Sequence, residues 1–402
     1  MKTTRSILLT WFLLQSAPVG ADLADLIVTR LALMKDVASY KWHHKLPVED
    51  TTREKTVIEA AVSAGLNHGI RVEVSRSFYR AQIEAAKEIQ RCWLDRWQRA
   101  APPARGADLI TDIRPQLLKL GHRIADTLAD GSTVLSESLS IDCLSADSKQ
   151  AISESLQGIR IYADRFEQVN QSRTLRVGTT GDYAPFTFST DGTHFTGIDI
   201  DLAHNLAESL GAEAVFVQTS WPTLMTDLEN GRYDIGMGGV SITEVRLQSA
   251  FFSTPYHIGG KTPITKCGRT TEFDSLEKID RTGVRLIVNP GGTNEMFLDS
   301  KIRHASKILF NDNRDIFNEI LTGRADLMVT DRIEVRLQTA KHKTLCAAMP
   351  GKTLTYQEKG YMMPQDRRLR DAVNTWLVSR REDGTLAGTF DRHLLSPAIA
   401  AP

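Results

Sequence analysis

Apolar residues in the first part of the chain recur at helical spacing. From residue 23 to about residue 171 they repeat every three or four positions, and alternating runs of β-branched residues are nearly absent. This periodicity is typical of amphipathic helices. Pro47 and the segment APPARGAD interrupt it, as turn-forming sequences do. The pattern predicts an all-α part with five helices, at about residues 23–45, 50–68, 73–100, 108–130 and 147–170.

The pattern changes near residue 173, where short apolar runs begin to alternate with helical segments. The runs LRVGTT and AVFVQTS are followed by a second cycle that contains RLIVNPGGTN and ADLMVTD. Alternating strands and helices of this length predict an α/β sheet with parallel strands. Two such cycles and a return segment, KGYMMPQD, predict two lobes joined by two crossings of the chain. Ligands of such sheets bind beyond the carboxyl ends of the strands, so we expect a site between the lobes.

The first 21 residues have the pattern of a secretory signal peptide. Lys2 and Arg5 precede a short apolar run, and small residues end the segment at Ala21. The apolar run is too short for a stable membrane span. No cysteine follows it, so a lipid or membrane anchor is not expected. We predict that residues 1–21 are removed and that the mature chain is exported to the periplasm.

The charge balance bears on the partners of the protein. The chain has 49 Lys and Arg residues and 49 Asp and Glu residues, so its formal net charge is zero. It therefore lacks the excess positive charge that nucleic-acid or anionic-membrane binding requires. We expect small-molecule ligands and no nucleic acid, and the sequence leaves open whether the chain forms a homo-oligomer.

Four cysteines are present, Cys92, Cys143, Cys267 and Cys346. An even number in an oxidising compartment predicts two disulfides, with three possible pairings. Pairing within each domain favours Cys92–Cys143 and Cys267–Cys346. The sequence has neither C-x-x-C nor H-E-x-x-H, so we expect no metal site, and nothing in it indicates a cofactor.

The stretch LMVTDRIEVR, residues 327–336, permits two interpretations. Asp331 and Glu334 are spaced as a helix capping box, in which both side chains bind backbone N–H groups of the first turn. They also lie beyond the carboxyl end of a predicted strand, where Asp331 would contact a ligand and Glu334 would take part in chemistry. These ten residues alone do not decide between the two.

The segment GGVSITEVRLQSAFFSTPY resembles the amino-acid-binding branch of the periplasmic solute-binding proteins. The resemblance implies that Arg246 grips a ligand carboxylate, with help from Ser241 and Thr243. The chemistry is suitable, because a guanidinium group offers two parallel N–H donors to a carboxylate.

A narrower resemblance covers about residues 164–395 and rests on six segments in order: LRVGTTGDYAPF, TSWPTLMTDL, GGVSITEVR, YHIGGKTPIT, VNPGGTNEMF and ADLMVTDRIEVRLQ. These resemble cyclohexadienyl dehydratases, secreted enzymes with the binding-protein fold that convert prephenate to phenylpyruvate and arogenate to phenylalanine. The resemblance implies that Glu334 is the general acid. It also implies a set of residues that line the site: Asp182, Trp221, Lys261, Asn289, Thr293 and Asp331.

Such an acid must be protonated near neutral pH to assist the departing hydroxyl group. At the first turn of a helix, the helix dipole would depress the pKa of Glu334. Burial must therefore outweigh the dipole for this role to be possible.

The helical part resembles the secreted helical chorismate mutases over about residues 23–168. The distinctive motifs are K-W-x-x-x-L-P-[IV]-E-D-x-x-R and the later run F-x-x-x-Q-I-x-A-x-x-x-I-Q. The resemblance implies that Arg30, Arg53 and Arg114 bind the two carboxylates of chorismate. It further implies contacts to the ether oxygen or to a hydroxyl group from Lys41, Gln90, Asp50 and Glu54.

One position departs from a branch of that family, since Ala86 replaces a hydroxylic residue. The alternative for each of the charged residues is a solvated helix face, and Thr51-x-x-Glu54 alone reads as a second capping box.

Together these features predict an all-α helical chorismate mutase domain followed by a two-lobed α/β periplasmic-binding-protein-like domain. The predicted domains are residues 22–168 and 169–402. The expected route is chorismate to prephenate to phenylpyruvate, with arogenate as a further substrate. The alternative is a non-catalytic solute-binding protein with a helical partner domain. The sequence does not distinguish a preference for prephenate from one for arogenate.

Overall fold

The computed structural model describes residues 23–101, 103–129, 139–157 and 161–395. The predicted signal peptide lies outside the described residues. The chain forms two compact units. One contains the described residues of Met1–Ala64 and Glu73–Ile159, and the other contains Gly65–Val72 with Arg160–Pro402. The boundary after residue 168 stays a prediction.

The first unit is helical, as the apolar periodicity predicted. Its helices bury one apolar face each, with Ile27, Phe78, Ile89 and Ile124 almost fully enclosed. A π-helical turn, Leu109–Ile113, leads directly into the fifth helix. The helices are α1 (Leu23–Ala32), α2 (Met34–His44), α3 (Thr51–Asn67), α4 (Val72–Arg99), α5 (Arg114–Ala129) and α6 (Ala146–Gln157).

Two of the five predicted helices are each divided in the structure. The first predicted helix breaks at Leu33, which has ψ −13°, and it ends at Lys45 in the left-handed conformation. The last predicted helix consists of α6 and a separate helix, α7 (Arg165–Ser172), which belongs to the second unit. Asp164 begins α7 by accepting a hydrogen bond from the backbone N–H of Glu167 at 2.7 Å. Apolar spacing continues across both breaks, which explains why periodicity alone did not find them.

The second unit contains two five-stranded sheets, one in each lobe. In the first lobe the order is β4-β1-β5-β14-β6, and in the second it is β10-β9-β11-β8-β12. The strands are β1 (Thr174–Thr179), β2 (Asp182–Tyr183), β3 (Thr187–Phe188), β4 (Glu213–Gln218), β5 (Ile235–Gly236), β6 (Phe251–Phe252), β7 (His257–Gly259), β8 (Lys261–Lys266), β9 (Arg285–Val288), β10 (Ser306–Leu309), β11 (Leu327–Asp331), β12 (Leu345–Ala347), β13 (Gln357–Lys359) and β14 (Met362–Met363).

Helices pack on these sheets. They are α8 (Ile198–Ser209), α9 (Leu224–Glu229), α10 (Glu244–Leu247), α11 (Leu276–Ile279), α12 (Thr293–Lys301), α13 (Ile316–Leu321), α14 (Arg332–Lys341), α15 (Arg367–Glu382) and α16 (Thr385–Leu395), with a 3-10 helix at Cys267–Glu272. Among the described residues, no helix has the length and apolar character that crossing a membrane requires.

In each sheet four strands run in one direction and one strand runs opposite to them, β14 in the first lobe and β8 in the second. In the first lobe β4, β1 and β5 are parallel, and in the second lobe β10, β9 and β11 are parallel. Each of the two opposed strands follows a crossing between the lobes. Strand β8 is the first after the chain enters the second lobe, and β14 is the first after it returns to the first lobe. The predicted fold class is confirmed, and each sheet is mixed rather than wholly parallel.

The lobes are joined through β7 and β13, which form an antiparallel pair. The first strand leads into β8 of the second lobe, and the other leads back into β14 of the first. Lys261 and Lys359 therefore lie where the chain crosses between the lobes.

A buried carboxylate on α8 fixes the loop that follows β5. Asp199 is fully enclosed and accepts hydrogen bonds from the Gly239 N–H at 2.6 Å, the Tyr256 hydroxyl at 2.6 Å and the Tyr361 hydroxyl at 3.3 Å. Burial raises its pKa to about 6. Gly239 has φ +72°, and a Cβ there would lie 2.5 Å from the Tyr183 ring. Only glycine fits this position, and Asp199 holds its peptide in place.

The structure contains both of the disulfides that the domain argument favoured. Cys92 and Cys143 are joined in the first unit, and Cys267 and Cys346 in the second.

Substitution of Asp199 by alanine tests this support. The change leaves three buried donors without an acceptor, and each such group costs about 1–3 kcal/mol. We expect Asp199→Ala to lower the melting temperature of the second unit by roughly 6 °C or more in calorimetry. Glu208→Ala, on the exposed side of the same helix, is the matched control and should change the melting temperature little. Equal effects of the two substitutions would contradict a role specific to Asp199.

Candidate active sites

A cavity of about 720 Å³ lies among the helices of the first unit. Among the cationic side chains that line it are Arg30, Lys41, Arg53 and Arg114, which come from four different elements. The first three come from α1, α2 and α3, and the last is the first residue of α5. The structure thus brings together the cations that the sequence placed in one site.

Arg30 is buried in the wall of this cavity, and burial lowers its pKa. Its Nε donates to Gln82 Oε1 at 3.0 Å, and its Nη1 donates to the Leu117 carbonyl at 3.3 Å. Within the described part of the chain, no carboxylate pairs with the guanidinium groups of Arg30, Arg53 or Arg114. Several unpaired cations around one cavity repel one another unless an anion is bound, so this arrangement favours an anionic ligand.

Lys41 donates to the Val48 carbonyl at 2.7 Å. Burial lowers its pKa and Arg114 adds to that effect, whereas Asp50 and Glu54 oppose it. A lysine whose ammonium binds only a backbone oxygen retains donors for a ligand.

Asp50 and Glu54 both have structural partners at the start of α3. Asp50 accepts from the Arg53 N–H at 2.9 Å, and Glu54 accepts from the Asp50 N–H at 3.3 Å. Glu54 also pairs with Lys87 at 3.4 Å. The reciprocal bonds are those of a helix cap, centred on Asp50 rather than on Thr51. Both residues still lie on the cavity wall.

Two buried glutamines of α4 face the same cavity. The Gln90 amide donates to the Ala86 carbonyl at 3.0 Å and lies 3.7 Å from the sulfur of Met34. Gln90 Oε1 and Gln82 Nε2 have no hydrogen-bond partner among the described residues. Unsatisfied amide groups beside unpaired cations favour a polar ligand. Gln82 and Lys87 were not among the predicted site residues, although Gln82 lies two helical turns before Gln90.

The second site lies between the two lobes and is almost closed. Its cavity measures about 20 Å³, which is room for about one water molecule. A larger ligand can enter only when the lobes separate. The cavity is lined by Tyr183, Trp221, Gly239, Ser241, Arg246, Asn289, Gly292, Thr293, Asn294, Asn313, Asp331 and Lys359.

Arg246 lies in the first lobe and is 8% exposed. Its Nη1 donates to the Ser241 carbonyl at 2.8 Å, and its backbone N–H donates to Thr243 Oγ1 at 3.4 Å. Burial lowers its pKa to about 10, so it is charged at neutral pH. Its guanidinium group has no carboxylate partner in the described ranges, which leaves it available to an anion.

Asp331 occupies the N-cap position of α14, but its carboxylate does not cap the helix. Instead Lys359 Nζ lies 2.8 Å from Oδ2, Lys261 Nζ lies 3.3 Å from Oδ1, and the Tyr183 hydroxyl donates to Oδ2. Burial works against ionisation of Asp331, yet the two ammonium groups outweigh it and hold its pKa well below the usual value. The capping-box interpretation of this stretch is therefore wrong.

Glu334 is 2% exposed, and its carboxyl group accepts from the Thr330 hydroxyl at 2.5 Å. Burial raises its pKa to about 8; Asp331 and Asp182 add to the rise, while Thr330 opposes it. Burial therefore outweighs the helix dipole, and Glu334 carries a proton at neutral pH.

A chain of polar contacts connects Glu334 to Lys261. Thr330 accepts from the Asn294 amide at 3.1 Å, and Asn294 accepts from Lys261. Lys261 also donates to Thr293 Oγ1 at 3.1 Å, and burial lowers its pKa. Lys261 and Thr293 thus lie together, and the Lys261 side chain is buried rather than exposed to solvent.

The remaining predicted residues enclose the other side of the site. The Trp221 indole N–H donates to Asp182 Oδ1 at 3.1 Å, and burial raises the pKa of Asp182. The Asn313 amide, from the second lobe, donates to the Asp182 carbonyl at 2.9 Å. Asn289 has a buried oxygen with no partner among the described residues, which favours a ligand donor nearby.

Four residues of this site were not predicted: Tyr183, Asn294, Asn313 and Lys359. The signal for Lys359 is a lysine in the otherwise apolar return segment before GYMM, where it is only 3% exposed. In the described part of the chain, no cluster of three or more His, Cys, Asp or Glu side chains is placed to hold a metal ion.

Two mixed α/β lobes, with a buried arginine on the wall of the cavity between them, are typical of the binding-protein fold. Residues 175–396 match the sequence profile of the bacterial extracellular solute-binding proteins, family 3. The chain belongs to this family. Residues 18–91 match the profile of chorismate mutase type II.

The relatives of the second unit include an enzyme and transport proteins. A cyclohexadienyl dehydratase of Pseudomonas aeruginosa is 46% identical over 236 residues, which cover 59% of this chain and 88% of the relative. An L-cystine-binding protein of Escherichia coli is 29% identical over 58% of this chain and 88% of its own.

A solved structure of an ancestral amino-acid-binding protein, described as a precursor of cyclohexadienyl dehydratase, superposes with a TM-score of 0.54. It is 32% identical and covers 58% of this chain and all of its own. The predicted combination of a chorismate mutase segment with a dehydratase-like binding-protein domain is confirmed.

The raised pKa of Glu334 has a consequence for stability. An exposed glutamate has a pKa near 4.5 and the buried one about 8, so the folded chain holds an extra proton between these values. The stability that Glu334 contributes is therefore present below about pH 4.5 and is lost as the pH rises towards 8. We expect Glu334→Gln to melt at a higher temperature than the wild type at about pH 8, and at a similar temperature at about pH 4.5.

The exposed Glu244→Gln is the matched control for this experiment. It should show no such dependence on pH. A constant difference between Glu334→Gln and the wild type at both pH values would show that the Glu334 pKa is not raised.

Proposed function

We propose that the chain is a bifunctional enzyme of phenylalanine biosynthesis. The helical unit rearranges chorismate to prephenate, and the two-lobed unit converts prephenate to phenylpyruvate and arogenate to phenylalanine. The observation that carries the proposal is Glu334, a buried carboxyl group with a raised pKa that is connected to Lys261 through Thr330 and Asn294. The dehydratase relative and the chorismate mutase profile support the same assignment.

The dehydratase reaction needs a proton at the leaving oxygen. Prephenate loses its ring carboxylate as CO₂ and its ring hydroxyl as water, and aromatisation provides the driving force. Expulsion of hydroxide is the difficult part, and Glu334 removes the difficulty by donating its proton to the departing oxygen. Arg246 holds the side-chain carboxylate that remains in the product. Closure of the lobes excludes water from the acid.

The mutase reaction needs positioning and positive charge rather than an acid. Chorismate rearranges in one concerted step, in which negative charge develops on the ether oxygen as the C–O bond breaks. Arg30, Arg53 and Arg114 hold the two carboxylates in the compact conformer. Lys41 and Gln90 donate to the ether oxygen and stabilise the developing charge.

Transport of an amino acid is the second candidate function, because an L-cystine-binding protein is 29% identical over 58% of this chain. Arg246 would suffice to anchor the carboxylate of the amino acid in such a protein. Transport gives no reason for a protonated acid at Glu334, nor for the arginine-lined cavity of the helical unit.

We also infer that the chain is exported and that it acts without a cofactor. Residues 1–21 act as a signal peptide that directs the chain to the periplasm. The substrates are small anions and no cofactor takes part.

Two substitutions separate the two activities. Glu334→Gln removes the acid, and we expect prephenate turnover to fall by roughly 10²–10⁴-fold while the mutase is unaffected. Arg114→Ala removes a carboxylate anchor, and we expect the mutase to fall by about 10²-fold or more while prephenate turnover remains. The measurement follows chorismate loss and phenylpyruvate formation with the mature chain.

Glu244→Gln and Arg123→Ala are exposed controls in the same two units and should leave both activities intact. Chorismate and prephenate returned unchanged by the wild type would support the transport function instead. A parallel loss of both activities in each variant would contradict the assignment of one reaction to each unit.

The role of Gln90 can be tested through the pH dependence of the mutase rate. An amide donates to the ether oxygen at any pH, whereas a carboxylate repels the developing charge unless it is protonated. We expect the wild-type mutase rate to change little between about pH 5 and pH 8, and that of Gln90→Glu to fall roughly tenfold or more over this range. Gln98→Glu, exposed on the same helix, should behave as the wild type. A flat profile for Gln90→Glu would place Gln90 away from the ether oxygen.

A further inference from the structure

Lys359 is a cationic residue of the closed site that the proposed reaction has not used. It lies at the end of β13, one of the two strands that join the lobes, and it is 3% exposed. Its ammonium group lies 2.8 Å from Asp331 Oδ2 in the second lobe. In the first lobe it donates to the Gly239 carbonyl at 2.8 Å and to Ser241 Oγ at 3.4 Å. It also lines the cavity between the lobes.

Residues of the first lobe fix the position of the Lys359 ammonium group. Asp199 accepts from the N–H of Gly239, and the carbonyl oxygen of the same residue accepts from Lys359. The ring centroids of Tyr183 and Phe186 lie 5.0 and 5.3 Å from the Lys359 ammonium nitrogen, which is within the range of cation–π contacts. Lys359 is therefore held rigidly rather than free to turn away from a ligand.

Lys359 also lies close to the carboxylate anchor. Ser241 contacts both cations, because its carbonyl accepts from Arg246 at 2.8 Å and its hydroxyl faces Lys359 at 3.4 Å. A substrate whose carboxylate binds Arg246 thus has its adjacent carbon near Lys359. That carbon carries the only difference between prephenate and arogenate, which is a keto oxygen in one and an ammonium group in the other.

Asp331 does not offer that ammonium group an open partner. Its Oδ2 is bound by Lys359 and by the Tyr183 hydroxyl, and its Oδ1 is bound by Lys261. A substrate ammonium would have to displace a lysine and then lie beside two like charges. A keto oxygen, by contrast, accepts a hydrogen bond from an ammonium group without any charge conflict.

We propose that Lys359 is a specificity-determining residue that selects the α-keto acid over the α-amino acid at the dehydratase site. This inference rests on the proposed function of that site. Lys359 donates to the keto oxygen of prephenate and repels the ammonium group of arogenate, while Asp331 compensates its charge in the closed protein.

The test compares kcat/KM for prephenate and for arogenate in the full chain. We expect the wild type to favour prephenate by about tenfold or more, and Lys359→Gln to reduce that ratio by about tenfold or more. Lys359→Arg keeps the charge and should keep the preference for prephenate. Lys352→Gln makes the same change at an exposed lysine and should leave the ratio unchanged. A structural role alone would lower both values together, so an unchanged ratio in Lys359→Gln would overturn the proposal.

Binding of the two products to the wild type provides a second measurement. It requires no turnover and no substituted protein. Calorimetric titration of the wild type should show phenylpyruvate binding about tenfold or more tightly than phenylalanine. Tighter binding of phenylalanine would overturn the proposal. Absence of turnover with both substrates would overturn the proposed function, and the product titration would still decide whether the site prefers the keto acid.

Discussion

The cost of enclosing charge governs the site between the lobes. Asp331 remains ionised there because Lys261 and Lys359 surround it. Glu334, three residues later, forms an ion pair with none of the described cations, and burial keeps it protonated. Two carboxyl groups on one short segment thus differ in protonation because their partners differ. The rest of the site follows from this division, since one group balances charge and the other carries a transferable proton.

The two units meet the demands of their reactions in opposite ways. The helical unit keeps its arginines unpaired around a cavity large enough for a ring with two carboxylates, because a pericyclic reaction needs a shaped, positive environment. Around the cavity of the two-lobed unit, Asp331 compensates Lys261 and Lys359, and Arg246 has no carboxylate partner among the described residues and is the open anchor. Each unit contains one disulfide, so each is cross-linked within itself.

The sequence predicted the fold class and the two-lobed arrangement, because apolar periodicity is a local property. The candidate site residues came from the two family resemblances, and the structure places many of them on the walls of the two cavities. The sequence did not predict the breaks at Leu33 and before Arg165, where apolar spacing continues although the backbone does not. It could not separate a capping box from a ligand site at Asp331. That distinction depends on Lys359 and Tyr183, which are distant in the chain, and Lys359 itself looked like part of an ordinary return strand.

The small volume between the closed lobes constrains the enzymatic cycle. A space for one water molecule cannot hold a cyclohexadiene, and phenylpyruvate, carbon dioxide and water formed there must all leave. Every turnover therefore includes one separation and one rejoining of the lobes, during which the Tyr183–Asp331 and Asn313–Asp182 contacts break and form again. The hinge strands, and not only the acid, set an upper limit on throughput.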